Sequence, residues 1–527
     1  MFSYRVHRFI FLFGVLSLAF GMMIGTVPTS VPQLILAGNW VIEMDFARKW
    51  KQLKNNLLFW LLSGFYLVHV AGVFYSSDLN AALHDIRTKM PLMFLPLVFL
   101  SSPVLSLREL KWVFWCFIAG SFMNTAWCHI YSFVLHNNEV VRKASRFMSH
   151  IRLGLYLNMA IAACLYYGFK DDRKWRRLLL FMLALYFLCS MVVLGLAGGL
   201  ANLALLLLLG SVLVFYTGGK KTRIAGFTVL LLMLIPAIYS VKKIAHEQLS
   251  VKPSPVNKPL EKSEAGNWYS HFDSLGQKEN GYYVLINIQP GELKRAWNRD
   301  FPEDSFSYAP KHNLQRYEVL VRYMSGKGLL KDSVGYSRLN DLEKAEVRKN
   351  HTNHLLSEWS FLRKRIYELV NEYDEFGNGR SVNGHSFTMR LYFWKAALHA
   401  IGNNWLFGAG TGDVAAELDK SYDAVKSPLS EEWRIRPHNQ FLTVWLALGA
   451  GGALIFLFSV FVPPLILRNE LHALYWPFFI LALVSFLFED TLETQAGLTF
   501  FAFFNSLLLC QAWFRRPQTP ADQRENH

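Results

Sequence analysis

Long apolar runs alternate with short polar stretches along most of this chain. About twelve of them approach the ~20 residues that cross a ~30 Å hydrocarbon core. They lie near 9–26, 30–46, 57–75, 91–102, 111–134, 152–169, 178–195, 197–216, 224–241, 439–466, 474–489 and 496–514. The second, fourth and eleventh are short or interrupted by Pro, Asn or acidic residues. The pattern predicts an all-α, polytopic membrane protein. About nine helices would form an N-terminal membrane domain (1–241) and about three a C-terminal one (438–514), separated by a large polar segment (242–437) and followed by a tail (515–527).

The polar segment reads as mainly helical. Its start, "SVKPSPVNKPLEKSEAGN" (250–267), has the Pro, Lys and Ser content of a linker. Apolar residues then recur at three- and four-residue steps over 313–323 and 339–373, which predicts amphipathic helices. Glycines and asparagines break the pattern at 374–386. A further helix follows over 386–404, with Ser386 as N-cap and Gly402-Asn403 as its stop. Met389, Phe393, Ala397 and Ile401 form its apolar stripe, while Arg390 and Trp394 share another face.

Composition sharpens this picture. Of 527 residues 52% are hydrophobic, too many for a soluble fold with so many separate runs. Basic residues in short loops set orientation. With the N-terminus inside, the inner loops hold "RKWKQLK" (48–54), "KDDRKWRR" (170–177), "TGGKKTR" (217–223) and Arg515-Arg516. The outer loops hold fewer, namely Arg87, Lys89, Arg142, Lys143 and Arg146. Both termini are therefore expected in the cytoplasm and segment 242–437 outside. The net charge of +15 reads as topology and contact with anionic membrane lipids, not as a nucleic-acid surface. All five cysteines fall in apolar runs, so the outer segment has neither disulfides nor cysteine-ligated zinc. The first run lacks a small-residue cleavage site and reads as a retained helix.

Candidate chemistry gathers where polar and apolar meet. In "RIRPHNQFLTVWLALGA" (434–450), Arg434, Arg436 and His438 stand before an apolar helix. A helix N-terminus disfavours imidazolium, so His438 suits a general base, and the same end attracts phosphate. The plainer reading makes the arginines interfacial anchors and the histidine a polar cap. Arg390 either grips an anion through its paired donors or lies against Trp394 and water. "FGAGTGD" (407–413) could offer N–H groups to an anion, or be a turn. His351 and His354 could form a metal pair, but a solvated helix surface explains them more simply. His150 and Arg152 stand at one helix mouth, and Glu489, Asp490 and Glu493 at another, where ionisable groups face a cavity or a partner.

Taken together, "SFTMRLYFWKAAL", "NNWLFGAGTGD" and "RPHNQFLTVWLALGAGG" resemble the signature region of the O-antigen ligase/polymerase family. The likeness is strong over 386–452 and weaker over 72–99 and 489–504. It implies a GT-C-like glycosyltransferase of the bacterial inner membrane, acting on the periplasmic side without metal or cofactor. The implied donor is a glycan on undecaprenyl pyrophosphate. The acceptor is a hydroxyl of lipid A–core in a ligase, another lipid-linked repeat in a polymerase, or a protein Ser or Thr. By motif, the family's histidine falls on His438 and its pyrophosphate arginine on Arg390. Relatives often carry a second arginine at the turn that here reads "LGLAGGLAN" (194–202), with no basic residue. Arg152, Arg436 and Arg322 are the candidates to replace it. Asn439, Trp394 and Glu489 stand beside them as supporting residues. A lipid or solute transporter is the competing class, but the chain lacks the two matching halves typical of one.

Overall fold

Short polar side chains cap several of the helices at their first turn. Asn56 accepts from Leu58 N and Phe59 N, Asp78 from Ala81 N, and Ser149 from Arg152 N. Ser106 and Glu109 form a reciprocal capping box. Each such cap satisfies backbone donors that the helix leaves open, worth about 1 kcal/mol. The computed structural model describes residues 4–516, apart from 136–146, 218, 273–275, 307–311, 357, 380 and 381. The outer-loop charges Arg142, Lys143 and Arg146, and most of the tail 515–527, lie outside the described residues.

The helices run in order as α1 (Tyr4–Gly21), α2 (Thr26–Ile42), α3 (Phe46–Lys54), α4 (Leu57–Val73), α5 (Leu79–Lys89) and α6 (Pro91–Ser101). Next come α7 (Leu107–His129), α8 (His150–Lys170), α9 (Lys174–Val193), α10 (Ala197–Thr217) and α11 (Lys220–Leu249). The polar segment holds strands β1 (Lys278–Glu279) and β2 (Tyr282–Tyr283) and helices α12 (Pro290–Asp300), α13 (His312–Gly326), α14 (Ser333–Ser337), α15 (Asp341–Arg348) and α16 (Phe361–Gly377). Then follow α17 (Thr388–Asn403), α18 (Val414–Ala424), α19 (Gln440–Ile466), α20 (Tyr475–Phe488) and α21 (Gln495–Trp513).

Among the described residues seven helices are long and apolar enough to cross a membrane, or eight if α3 and α4, bent by 90°, count as one span. They are α1, α7, α9, α10, α11, α19 and α21. Five of the twelve expected runs fall short, each for a visible reason. The helices α2 and α4 have 17 residues, α20 has 14 and α6 has 11. Helix α8 has 21, but His150, Arg152, Asn158 and Lys170 dilute its apolar character.

The chain divides into two compact units, Met1–Leu213 with Arg390–His527, and Val214–Met389. In the first, α21 is the central helix, with every residue from Gly497 to Ala512 buried. A helix apolar on every face belongs either in a protein core or in lipid, and α21 lies in the core. Phe500 and Phe504 pack there against Phe117 and Phe478.

The second unit has its own core around Leu293, Trp297, Leu320, Met324 and Tyr336. Its short sheet pairs β1 antiparallel to β2, Lys278 with Tyr283 and Glu279 with Tyr282. Two expectations change here. The helix predicted over 339–373 is two, α15 and α16, because Asn350 takes a left-handed φ of 65° after α15. The 250–267 stretch is also folded onto its neighbours. The Asn287 side chain donates to Val256 O and Lys258 O, both at 2.9 Å, and accepts from Leu260 N.

Candidate active site

Residues 489–494, between α20 and α21, organise the polar centre of the first unit. Glu489 and Asp490 sit side by side there and point to different partners. Oε2 of Glu489 lies 3.1 Å from His438 Nδ1, and its Oε1 accepts from Arg390 at 3.2 Å. The same arginine nitrogen donates to Phe488 O at 3.3 Å. One carboxylate thus holds both the histidine and the arginine singled out in the sequence. Burial opposes ionisation of Glu489. The hydrogen bond with His438 and the charges of Arg152 and Arg390 outweigh it and hold the carboxyl below its ordinary range.

Asp490 anchors the backbone instead. His438 N–H donates to its Oδ2 at 2.9 Å, and the Thr443 hydroxyl donates to its Oδ1 at 2.6 Å. Burial raises the Asp490 carboxyl above its ordinary value, with the Thr443 bond opposing. His438 itself has φ 50°. That left-handed conformation is uncommon for a residue with a Cβ, although histidine adopts it more readily than most. The residue stands just before the helix: Asn439 is the N-cap of α19, accepting from Phe441 N and Leu442 N. The sequence expectation of His438 at a helix mouth therefore holds, one residue outside the cap. Trp394 donates through Nε1 to Pro437 O at 3.0 Å, tying α17 to this turn, and Phe393 packs its ring 5.8 Å from the imidazole.

Glu493 gathers a second cluster. It accepts from Arg436 at 2.5 Å, from Lys89 at 2.8 Å and from the Gln440 amide at 3.0 Å. Lys89, 1% exposed, also donates to Asp85 at 2.5 Å. Burial pushes Asp85 up to about 6, whereas Lys89 and Arg436 hold Glu493 well below the carboxylate range against its own burial.

The four arginine candidates differ in what they do. Arg152 is 5% exposed, and its guanidinium donates to Thr494 Oγ1, Thr491 Oγ1 and Asp490 O at 3.1–3.2 Å. It clamps the acidic turn from α8. Arg322 belongs to the second unit, where it pairs with fully buried Glu279 at 3.0 Å. Arg436 keeps 41% of its side chain exposed and lies two residues from His438. Of the three substitutes for the missing turn arginine, Arg436 keeps the most exposed side chain and is the one next to His438 along the chain. The turn itself is closed by packing: a Cβ on Gly199 would meet Gly154 Cα at 2.7 Å, and Asn158 donates to Gly199 O at 2.8 Å.

The glycine-rich loop 407–413 spends its N–H groups inside the protein. Ala409 N and Gly410 N donate to Leu446 O and Ala447 O, and Ala450 N returns a bond to Trp405 O. These bonds meet α19 where Gly449, at φ 66°, kinks it. The loop is a structural tie rather than an anion cradle. His351 pairs with Glu346, and no group of three metal-ligating side chains occurs among the described residues.

The fold brings His438, Arg390, Trp394, Asn439 and Glu489 into one neighbourhood. Sequence reasoning missed the separate backbone role of Asp490, and Thr443 and Gln440 altogether. The i,i+4 pair Asp85 and Lys89 was the available signal for the second cluster.

A protein-family model described as O-Antigen ligase matches residues 341–457. The matched stretch carries Arg390, Trp394, Arg436, His438 and Asn439. Arg152, Arg322 and the 489–494 turn lie outside it. A search of curated proteins returned no match.

Proposed function

We propose, from the premise that the match over residues 341–457 supports assigning this chain to the O-antigen ligase/polymerase family, that it transfers a glycan from undecaprenyl pyrophosphate to a hydroxyl acceptor. The observation that carries this reading is the shared carboxylate: Glu489 holds His438 at 3.1 Å and Arg390 at 3.2 Å. With Nδ1–H directed at Glu489, the imidazole lone pair stands on Nε2, where an acceptor hydroxyl would approach. The acceptor oxygen would form its bond to the anomeric carbon as the carbon–oxygen bond to pyrophosphate breaks. His438 Nε2 takes the hydroxyl proton. Undecaprenyl pyrophosphate leaves as an anion, and Arg390 with Arg436 would neutralise the charge that develops on it. The leaving group is a weak base, so no general acid is required.

The same geometry serves a ligase, a polymerase or a protein O-oligosaccharyltransferase. We favour ligation to lipid A–core, at the periplasmic face of the bacterial inner membrane. The deciding experiment offers lipid A–core and an acceptor protein in parallel to purified protein charged with undecaprenyl-pyrophosphate oligosaccharide. Product on lipid A–core supports the ligase. Ladders on the carrier lipid would make it a polymerase, and product on protein an oligosaccharyltransferase. Absence of product with every acceptor would favour the transporter.

A further inference from the structure

Helix α16 has two apolar faces and buries only one. Ile366, Tyr367 and Val370 pack on Ile244, Ala245 and Leu249 at the end of α11. Leu362, Leu369, Tyr373 and Phe376 are 58%, 50%, 74% and 38% exposed. At 100° per residue these four fall within a ~60° sector, so they form one continuous stripe.

Three observations say what covers it. First, α11 is a candidate span whose apolar stretch ends at Val241 and is followed by Lys242 and Lys243. Ile244 stands three residues further on, ~5 Å along the axis, so α16 packs at the depth where hydrocarbon gives way to head groups.

Second, α16 crosses α11 steeply. Arg363 pairs with Glu247 at 2.7 Å, and Asn371, eight residues later, accepts from Gln248 at 3.0 Å. A ~12 Å advance along α16 thus corresponds to one residue of α11. If α11 spans, α16 lies near the plane of the bilayer.

Third, the stripe points away from the rest of its unit. Tyr367 and Asn371 sit roughly 150–170° around the helix from the stripe. Tyr367 reaches Glu279 of β1, and Asn371 meets Gln248, which also donates to Lys278 O of β1. The hairpin lies beyond the end of α11, so the opposite face of α16 is turned back towards the membrane.

We infer that α16 is an interfacial helix whose Leu362–Leu369–Tyr373–Phe376 stripe inserts into the bilayer leaflet where α11 ends. An amphipathic helix with an aromatic residue at its apolar edge is suited to that depth. The same helix also holds the start of α17. Glu372, on α16, accepts from Phe387 N and Thr388 N at 2.5 and 2.6 Å and so braces that start. This inference rests on α11 crossing the membrane and stands apart from the transfer reaction.

The test uses the full chain in phosphatidylethanolamine–phosphatidylglycerol nanodiscs. Cys116 and Cys189, the two cysteines that are not buried, are first replaced by serine. Spin labels are then attached at Leu369→Cys and Tyr373→Cys, with Lys364→Cys and Glu368→Cys on the polar face as controls. We expect oxygen to broaden the first pair more than a nickel chelate does, and the reverse for the controls. Nickel access at all four positions would overturn the inference. So would labels at 369 and 373 immobilised and closed to both reagents, since protein, including a second copy of the chain, would then cover the stripe. The unsubstituted protein gives an independent reading: Tyr373 should be shielded from hydroxyl radicals in nanodiscs, while Trp268, 66% exposed, is oxidised. Equal oxidation of both would also overturn it.

Discussion

Replacing Asp490 separates positioning from acid–base chemistry. Its carboxylate, 7% exposed, accepts from His438 N and the Thr443 hydroxyl at 2.9 and 2.6 Å. Hydrogen bonds to a charged group contribute about 1.5–3 kcal/mol each, so the pair is worth roughly 3–6 kcal/mol before the cost of burying the carboxylate. That cost is real here, because burial raises the Asp490 carboxyl. We expect Asp490→Ala to lose about 2–3 kcal/mol of stability, since it leaves the His438 N–H without its acceptor. Asp490→Asn keeps one acceptor oxygen and a donor that the Thr443 hydroxyl can receive, so its loss should be about 1 kcal/mol. Function should suffer more. The anchor holds His438 at φ 50°, a conformation costing about 1–2 kcal/mol that the released residue would abandon. If 2–3 kcal/mol is expressed in the transition state, turnover falls about 30- to 150-fold in Asp490→Ala. Unfolding in detergent by circular dichroism and single-turnover transfer in nanodiscs measure the two effects. An alanine variant with wild-type stability and turnover would refute the positioning role. A stable variant with weakened donor binding but normal single-turnover rate would refute it too.

Two further substitutions have expected outcomes. If Arg390 binds the donor as proposed, Arg390→Lys should lower transfer by at least about tenfold while the protein remains folded, because one ammonium cannot replace a planar guanidinium fork. Unchanged donor affinity and rate would return Arg390 to an interfacial role. Lys331, fully buried in the second unit, is pushed down to about 7 by burial, with Asp332 opposing. Between pH 7 and about 10.5 the unfolded chain therefore binds more protons, so stability should rise with pH by up to about 1.4 kcal/mol per unit and stay low and flat below 7. Lys331→Met should abolish that slope in unfolding measured from pH 6 to 10, and a slope unchanged by the substitution would show that Lys331 is charged when folded.

The sequence carried the helical, membrane-spanning class because apolar length is a one-dimensional property. Against its twelve runs, seven helices among the described residues are long and apolar enough to span; α2 and α20 fall short in length, and polar residues such as Arg152 and Asn158 interrupt α8. The 386–404 helix was legible from its stripe: Met389, Phe393, Ala397 and Ile401 are all buried. Its start was not, because Glu372 of α16, not a local serine alone, supplies acceptors to Phe387 N and Thr388 N. The neighbourhood of His438 and Arg390 came from a resemblance. What joins them, the Glu489 carboxylate about a hundred residues from Arg390, depends on tertiary structure. For the same reason Arg152, Arg322 and Arg436 were equivalent in sequence, and only their partners separate them.

The central claim is that His438 accepts the proton of the attacking hydroxyl. The most direct measurement compares the chain with His438→Ala in nanodiscs containing undecaprenyl-pyrophosphate oligosaccharide and lipid A–core, with donor binding and single-turnover transfer read separately. If the histidine is the base, the variant binds donor like the parent and loses transfer by about 10²-fold or more. Transfer at the parent's rate would contradict that role.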